Sequence, residues 1–417
     1  RQVNKNSKHI VDFSLKEKNS TSKTHFFSNS LTKLNMDIFD VSEIELNLET
    51  TSNQDYLKTH NIKSKINNNQ SLLKSFLVFR GNSRDMNFET KIEAYENLTV
   101  DKSSDKYEYI FPSYKFSKRL PSNFNGNYEI ISSGNYKNYD TNIFEKVLIN
   151  DLKFSSNPKI TPSGFVNKFS VLLKNITSEA DNSSNYKNKF SSENYGSIFY
   201  DMSYPLKNEG KFFDSFFTAK GSLMYSPNSN KDLKTLDRKI DINNIFTQNR
   251  LSLDDTVEGG QSLTLGGEYS LKTKENGNDI IKAGLATVLR DDEEENLPTK
   301  STLNNKGSDF IGSLIFEPNK NFKFDYNFSM DSDFESSNYN LVKTDISVNK
   351  FVTSFEFLQE DDEVGSESFL SNETSYNFND SYSLKYRTRR NKKTDFTEFY
   401  NLIYEYKNDC LTASIQY

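Results

Sequence analysis

The segment from Asp395 to Tyr417, DFTEFYNLIYEYKNDCLTASIQY, constrains the fold of this chain more than any other. Tyr400, Leu402, Tyr404 and Tyr406 alternate with Asn401, Ile403 and Glu405. After Lys407-Asn408-Asp409, Leu411, Ala413, Ile415 and Tyr417 alternate with Thr412, Ser414 and Gln416. Period two in both arms predicts an antiparallel hairpin with one apolar and one polar face. Tyrosine-rich apolar faces suit strands that meet a lipid interface. The expected fold is all-β: a large antiparallel transmembrane β-barrel of the outer-membrane type. Because Tyr417 is still in strand register, about one more strand is expected beyond it.

Composition supports this reading in an indirect way. Only 34% of the residues are hydrophobic and mean hydropathy is -0.76, values that taken alone point to disorder. The 34 Phe and 23 Tyr argue against disorder, because disordered chains are poor in aromatics. A barrel reconciles the two, since only alternate strand residues face lipid. No run approaches the roughly 18 apolar residues of a membrane helix. A net charge of -6 leaves no basic footprint for nucleic acid. The N-terminus, RQVNKNSKHI, has neither an initiator Met nor a secretory signal, so the true start is expected upstream.

From about residue 308 the chain parses as a meander of strands of about 9–11 residues, the length of a tilted membrane strand. Phe322, Phe324, Tyr326 and Phe328 point one way; Lys323, Asp325, Asn327 and Ser329 point the other. Connections alternate in length. EPNK (317–320), SVNK (347–350), NFND (377–380) and KNDC (407–410) read as tight turns; DSDFESS (331–337), QEDDEVGSE (359–367) and RTRRNKKTD (387–395) read as longer loops. Short turns on the periplasmic side and long loops outside are the bacterial pattern. The first 300 residues carry a weaker signal, as in Ile44, Leu46 and Leu48 or Val11, Phe13 and Leu15. Polar clusters at 179–189 and 226–234 read as loops. At about 20 residues per strand and connection, roughly 18–20 strands are expected. Residues 1–417 read as one barrel domain without an internal boundary.

Catalytic chemistry leaves little trace. His9, His25 and His60 show no metal-binding spacing, and neither a metal nor a cofactor is expected. Gly259-Gly260 and Gly266-Gly267 read as strand flexure. Two loops are acidic, DDEEE (291–295) and EDDE (360–363), and Arg387, Arg389, Arg390, Lys392 and Lys393 form a basic cluster. By loop parity all of these face outward. The functional reading is contact with the phosphorylated lipid A and core sugars of lipopolysaccharide, through Arg/Lys or through cations on the carboxylates. The plainer reading is a solvated rim. Cys410, the single cysteine, sits at a turn assigned to an oxidising compartment, so a disulfide partner outside these residues is expected. A free or buried thiol is the other reading.

Several segments resemble the lipopolysaccharide-assembly family LptD, also called organic solvent tolerance protein OstA. They are TTSNQDYLKTHNI (50–62) and DMSYPL (201–206), both likened to strand ends, NNIFTQNRLSLDDTVEGGQSLTLGGEYS (243–270), LPTKS (297–301), SDFIGSLIFEPNKNFKFDYNFSMD (308–331) and NLIYEYKNDCLTASIQY (401–417). The resemblance implies an integral outer-membrane protein of Gram-negative cells that performs no covalent chemistry. It implies a barrel plugged by the lipoprotein LptE, and an N-terminal jellyroll that takes lipopolysaccharide from the periplasmic bridge protein LptA. Sugar would pass through the lumen while lipid A leaves sideways through a seam. It also implies that Cys410 bonds a cysteine of that N-terminal domain. The chain departs from the family pattern in lacking the jellyroll and in having Leu411 where better-known members pair two cysteines. Alternatives are a porin-like or TonB-dependent channel, a barrel enzyme such as a lipase or protease, and a soluble β-rich adhesin.

Overall fold

The computed structural model describes residues 2–3, 6–18, 21–101, 103–122, 125–139, 142–408 and 411–417. The chain divides into two compact units: Arg1–Asn157 with Val171–Gly196, and Pro158–Ser170 with Ser197–Tyr417. Among the described residues there are 23 strands, against the roughly 18–20 expected from average spacing. Two of them, Gln2–Val3 and Lys159–Ile160, are stubs of 2 residues. Tighter hairpins than the average allowed account for the rest.

In the first unit, Ser7–Lys18, Thr21–Leu34, Val41–Thr51, Leu72–Asn82, Met86–Asn97, Tyr107–Leu120, Gly126–Tyr139 and Ile143–Ser156 pair antiparallel in chain order. The pattern is inside out. Phe13 and Leu15 are 73% and 65% exposed, whereas His25, Asn47 and Glu93 are 3%, 4% and 3% exposed. Apolar side chains therefore cover the outer face and polar ones are sheltered, the reverse of a soluble sheet. The segment likened to an early strand end leaves its strand at Thr51 and forms one helical turn, Tyr56–Thr59, with Tyr56 and Leu57 buried.

The second unit repeats the meander. Phe213–Ser226, Gly260–Thr273, Asp279–Arg290, Phe310–Asn319, Phe322–Met330 and Ser337–Val348 pair in order. Phe351–Glu360, Ser368–Asn377, Tyr382–Asn391, Phe396–Lys407 and Thr412–Gln416 continue it. The closing hairpin forms as expected, from Ile403 opposite Gln416 to Lys407 opposite Thr412. Its Tyr400, Leu402 and Tyr404 are exposed. The turn residues Asp409 and Cys410 lie outside the described residues, so the expectation for Cys410 has no structural counterpart.

Some boundaries differ from expectation. Glu317, Pro318 and Asn319 belong to a strand rather than a turn. DMSYPL lies within Ser191–Glu209 rather than at a strand end. The stretch 387–395 is not a loop: the strand runs to Asn391 and four residues turn. Arg387 to Asn391 continue the ladder, with a register shift between Arg389 and Arg390, and charge alone misled the reading. The largest departure is the loop after Ser226, which runs unpaired to Gly259.

Candidate functional site

That loop, 227–259, and a second one, 291–309, fold together on the polar face of the second unit. Both are polar overall but bury their few apolar side chains. Ile245, Leu297 and Leu303 are fully buried, and Ile240 and Leu251 nearly so. They pack on Ala286, Val288 and Ile311 from the strands beneath. Small residues make room for them: a Cβ on Gly284 would lie 2.5 Å from Ile242 Cγ1. Burying each such aliphatic side chain stabilises the packing by about 1.5–3 kcal/mol, enough to hold a loop without regular hydrogen bonding.

A buried ionic knot fixes this packing. Arg250 donates from Nε to Glu258 Oε2 (2.8 Å) and from Nη2 to Oε1 (2.9 Å). Its Nη1 reaches Thr264 Oγ1 at 3.1 Å, and Nη2 also reaches Ser262. Arg290 clasps the same carboxylate from the neighbouring strand and donates to the Gly259 carbonyl. Arg250, Glu258 and Arg290 are 2%, 6% and 7% exposed, so each depends on its partners. The forked donors of arginine suit a carboxylate bonded on both oxygens.

Gly259 and Gly260 serve this knot rather than strand flexure, whereas Gly266 and Gly267 lie within a strand. Gly260 has φ +86, and a Cβ there would meet Arg290 Nη2 at 2.8 Å and Glu294 Oε1 at 3.1 Å. A Cβ on Gly259 would lie 2.1 Å from the Asn228 carbonyl. Gly266 backs onto Ala286 of the next strand, and Gly267 lies under the Phe217 ring.

The two loops are tied to each other and to the strand ends. Asn230 donates to Glu294 Oε2 (2.7 Å) and accepts from the Gly259 amide (2.8 Å). The Leu233 amide donates to the Asn296 carbonyl at 2.8 Å. Asp309 accepts from Ser329 and from Asn338 Nδ2 (3.0 Å), and its amide donates to Thr302 Oγ1 (3.0 Å). Burial pushes the Asp309 carboxyl above its usual range. Glu360 pairs with Lys239 and, through its carbonyl, with Lys393 Nζ at 3.5 Å. Each acidic run thus turns one glutamate inward, Glu294 and Glu360, while Asp291, Asp292 and Glu293 stay exposed.

The anticipated basic cluster does not assemble at one place. Arg387 and Arg389 alternate onto the polar face, paired with Glu373 (3.0 Å) and Glu398 (2.9 Å). Arg389 also stacks over Phe369 at 3.9 Å. These two arginines line a cleft of about 380 Å³ shared with Lys343, Glu356 and Phe399. Arg390 points to the opposite face and pairs with Asp395 (2.6 Å). Lys392 and Lys393 occupy the turn. In the first unit, His25 lies in the strand Thr21–Leu34 and is buried within a polar network. Its Nδ1 bonds Ser14 Oγ (2.6 Å), its Nε2 bonds Asp12 (3.3 Å), and Ser14 also bonds the buried Tyr56 hydroxyl (2.8 Å).

Reading for surface charge missed the Arg250–Glu258–Arg290 knot. The available signal was a loop bearing Ile240, Ile242, Ile245, Leu251 and Leu253 among polar residues, which no solvated loop needs.

Sheltered polar groups, an exposed apolar face and an antiparallel meander define the class: a large β-barrel protein of the outer membrane. Among the described residues no helix is long and apolar enough to cross a membrane. The chain belongs to the LptD family, LPS transport system D, whose profile matches residues 26–368. The matched span contains both packed loops and the knot, and stops before the basic residues and the closing hairpin. No curated protein matches the chain. Membership places the protein in lipopolysaccharide transport at the outer membrane.

Proposed function

We propose that this chain inserts lipopolysaccharide into the outer leaflet, passing the sugar through the barrel lumen while lipid A leaves through a lateral seam. The family match across the packed loops and the knot carries this reading. Residues 1–417 then form one barrel domain. Its partners are the lipoprotein LptE as plug and the bridge protein LptA, met through an N-terminal domain. The family match favours this over a porin-like or TonB-dependent channel. Arg387 and Arg389 contact sugar or phosphate on the polar face; Arg390, Lys392 and Lys393 meet phosphates at the rim.

Depletion of the protein in its own cells tests the proposal. Newly made lipopolysaccharide is expected to stop reaching the cell surface, and LptE is expected to co-purify with the chain. Normal surface delivery with impaired small-solute uptake would instead establish the channel. Cys410 is proposed to bond a cysteine outside these residues. Cys410→Ser is therefore expected to change mobility on a non-reducing gel, and unchanged mobility would sink that bond.

A further inference from the structure

A cleft of about 490 Å³ lies on the apolar face of the second unit, where four strands run side by side. Strand register builds it. Tyr200 stands opposite Leu223, Leu223 opposite Leu263, and Leu263 opposite Leu289. Leu223 and Leu289 are 53% and 43% exposed and stand as walls, whereas Leu263 between them is half-buried and forms the floor. The volume falls within the roughly 300–1,000 Å³ of small-molecule sites. Tyr200 and Tyr225 line the same cleft, and tyrosines on a barrel wall mark the level of lipid headgroups. One end of the cleft is polar. There Gln261, opposite Tyr225, and Asp291, the first residue after the strand Asp279–Arg290, are both exposed. The Asp291 carboxylate accepts the Asp292 amide (3.0 Å), and no cation pairs with it among the described residues. Arg290 also borders the cleft, but its two terminal nitrogens are committed to Glu258 and the Gly259 carbonyl.

A hydrocarbon floor that ends in a carboxylate and an amide fits an amphiphile with a positive group at its head. Asp292, joined to Lys306 at 3.9 Å, and Glu293 are exposed beside Asp291. This end therefore disfavours a headgroup of net negative charge and favours an ammonium. A primary ammonium also donates hydrogen bonds to the carboxylate, which a quaternary one does not. The Gln261 amide can donate to the phosphate that a zwitterionic lipid carries beside its ammonium. We propose that this cleft holds one phospholipid with an ethanolamine headgroup, an acyl chain along Leu263 and the ammonium on Asp291. The proposal goes beyond the transport reading and does not depend on it, because the site is on the lipid-facing wall and not on the polar face.

The chain contains no tryptophan, so a single introduced one reports on its lipid neighbours. Tyr225→Trp places it in the cleft; Leu48→Trp, at an exposed apolar position of the first unit, is the control. Each full-length variant is reconstituted in phosphatidylcholine vesicles with EDTA. Quenching is then measured with brominated-chain phosphatidylethanolamine or phosphatidylglycerol at equal fractions. At Tyr225→Trp, phosphatidylethanolamine is expected to bind about threefold more tightly than phosphatidylglycerol, the scale of an exposed ion pair. At Leu48→Trp the two are expected to quench equally. Asp291→Asn, outside the knot, and Leu263→Phe, which raises the floor, are each expected to abolish the preference at Tyr225→Trp. Heat-modifiable gel mobility confirms that each variant is folded. Equal quenching by the two lipids in the cleft, the same preference at Leu48→Trp, a preference that survives either substitution, or tighter binding of phosphatidylglycerol once magnesium is added would each overturn the proposal.

Discussion

At the residue scale, the knot makes the sharpest demand. Glu258→Gln leaves two buried guanidinium groups without their shared carboxylate, and we expect a loss of about 3–5 kcal/mol, read as a lower midpoint of heat-dependent gel mobility. An unchanged midpoint would show that the knot is solvated. Gly260→Ala places a methyl group against Arg290 at a positive φ and is expected to cost about 1–3 kcal/mol by the same measurement. Asp309 sets a pH dependence. Its carboxyl is raised in the folded state, so the stability it contributes is present below the ordinary carboxylate range and lost as pH rises through the raised value. Asp309→Asn is expected to remove that slope from hydrogen-exchange protection of 291–309; an identical slope in the variant would assign it to another group. Little of this was legible beforehand. The charges of Arg250, Glu258 and Arg290 are visible in the sequence, but 32 residues separate Glu258 from Arg290, and only strand pairing brings them together.

At the scale of elements, strands were read well and loops poorly, for one reason. A strand writes its environment into a period of two, so Phe322–Met330 and Phe396–Lys407 could be recognised from neighbours alone. A packed loop has no period. The stretch 227–259 was recognised as polar at its start, whereas its later apolar residues fold back on Ala286 and Val288. Charge runs misled in the same way: 387–391 alternates as a strand and contributes two arginines to one face and one to the other. Ile245→Ala is expected to cost about 2–5 kcal/mol through the cavity it leaves, and to speed limited proteolysis within 227–259. Proteolysis at the wild-type rate would show that the loop is held by the ionic knot alone.

At the scale of the whole molecule, composition and class were tied together by burial. Low hydropathy with abundant aromatics is contradictory for a soluble domain and natural where the apolar face is turned outward, as the 73% exposure of Phe13 beside the 3% exposure of His25 shows. The chain is therefore expected to run at different mobility before and after boiling in a detergent gel, and one mobility throughout would contradict a membrane barrel. What the sequence determined by itself was the strand, its two faces and the family resemblance, because alternation is local and survives without knowing any partner. What only the tertiary structure decided was which polar groups meet: the knot of Arg250, Glu258 and Arg290, the inward turn of Glu294 and Glu360, and the separation of Arg387 and Arg389 from Arg390. Those contacts depend on loop packing as well as on register, and a one-residue shift of the strands would turn Arg290, Glu360, Arg387 and Arg389 to the other face.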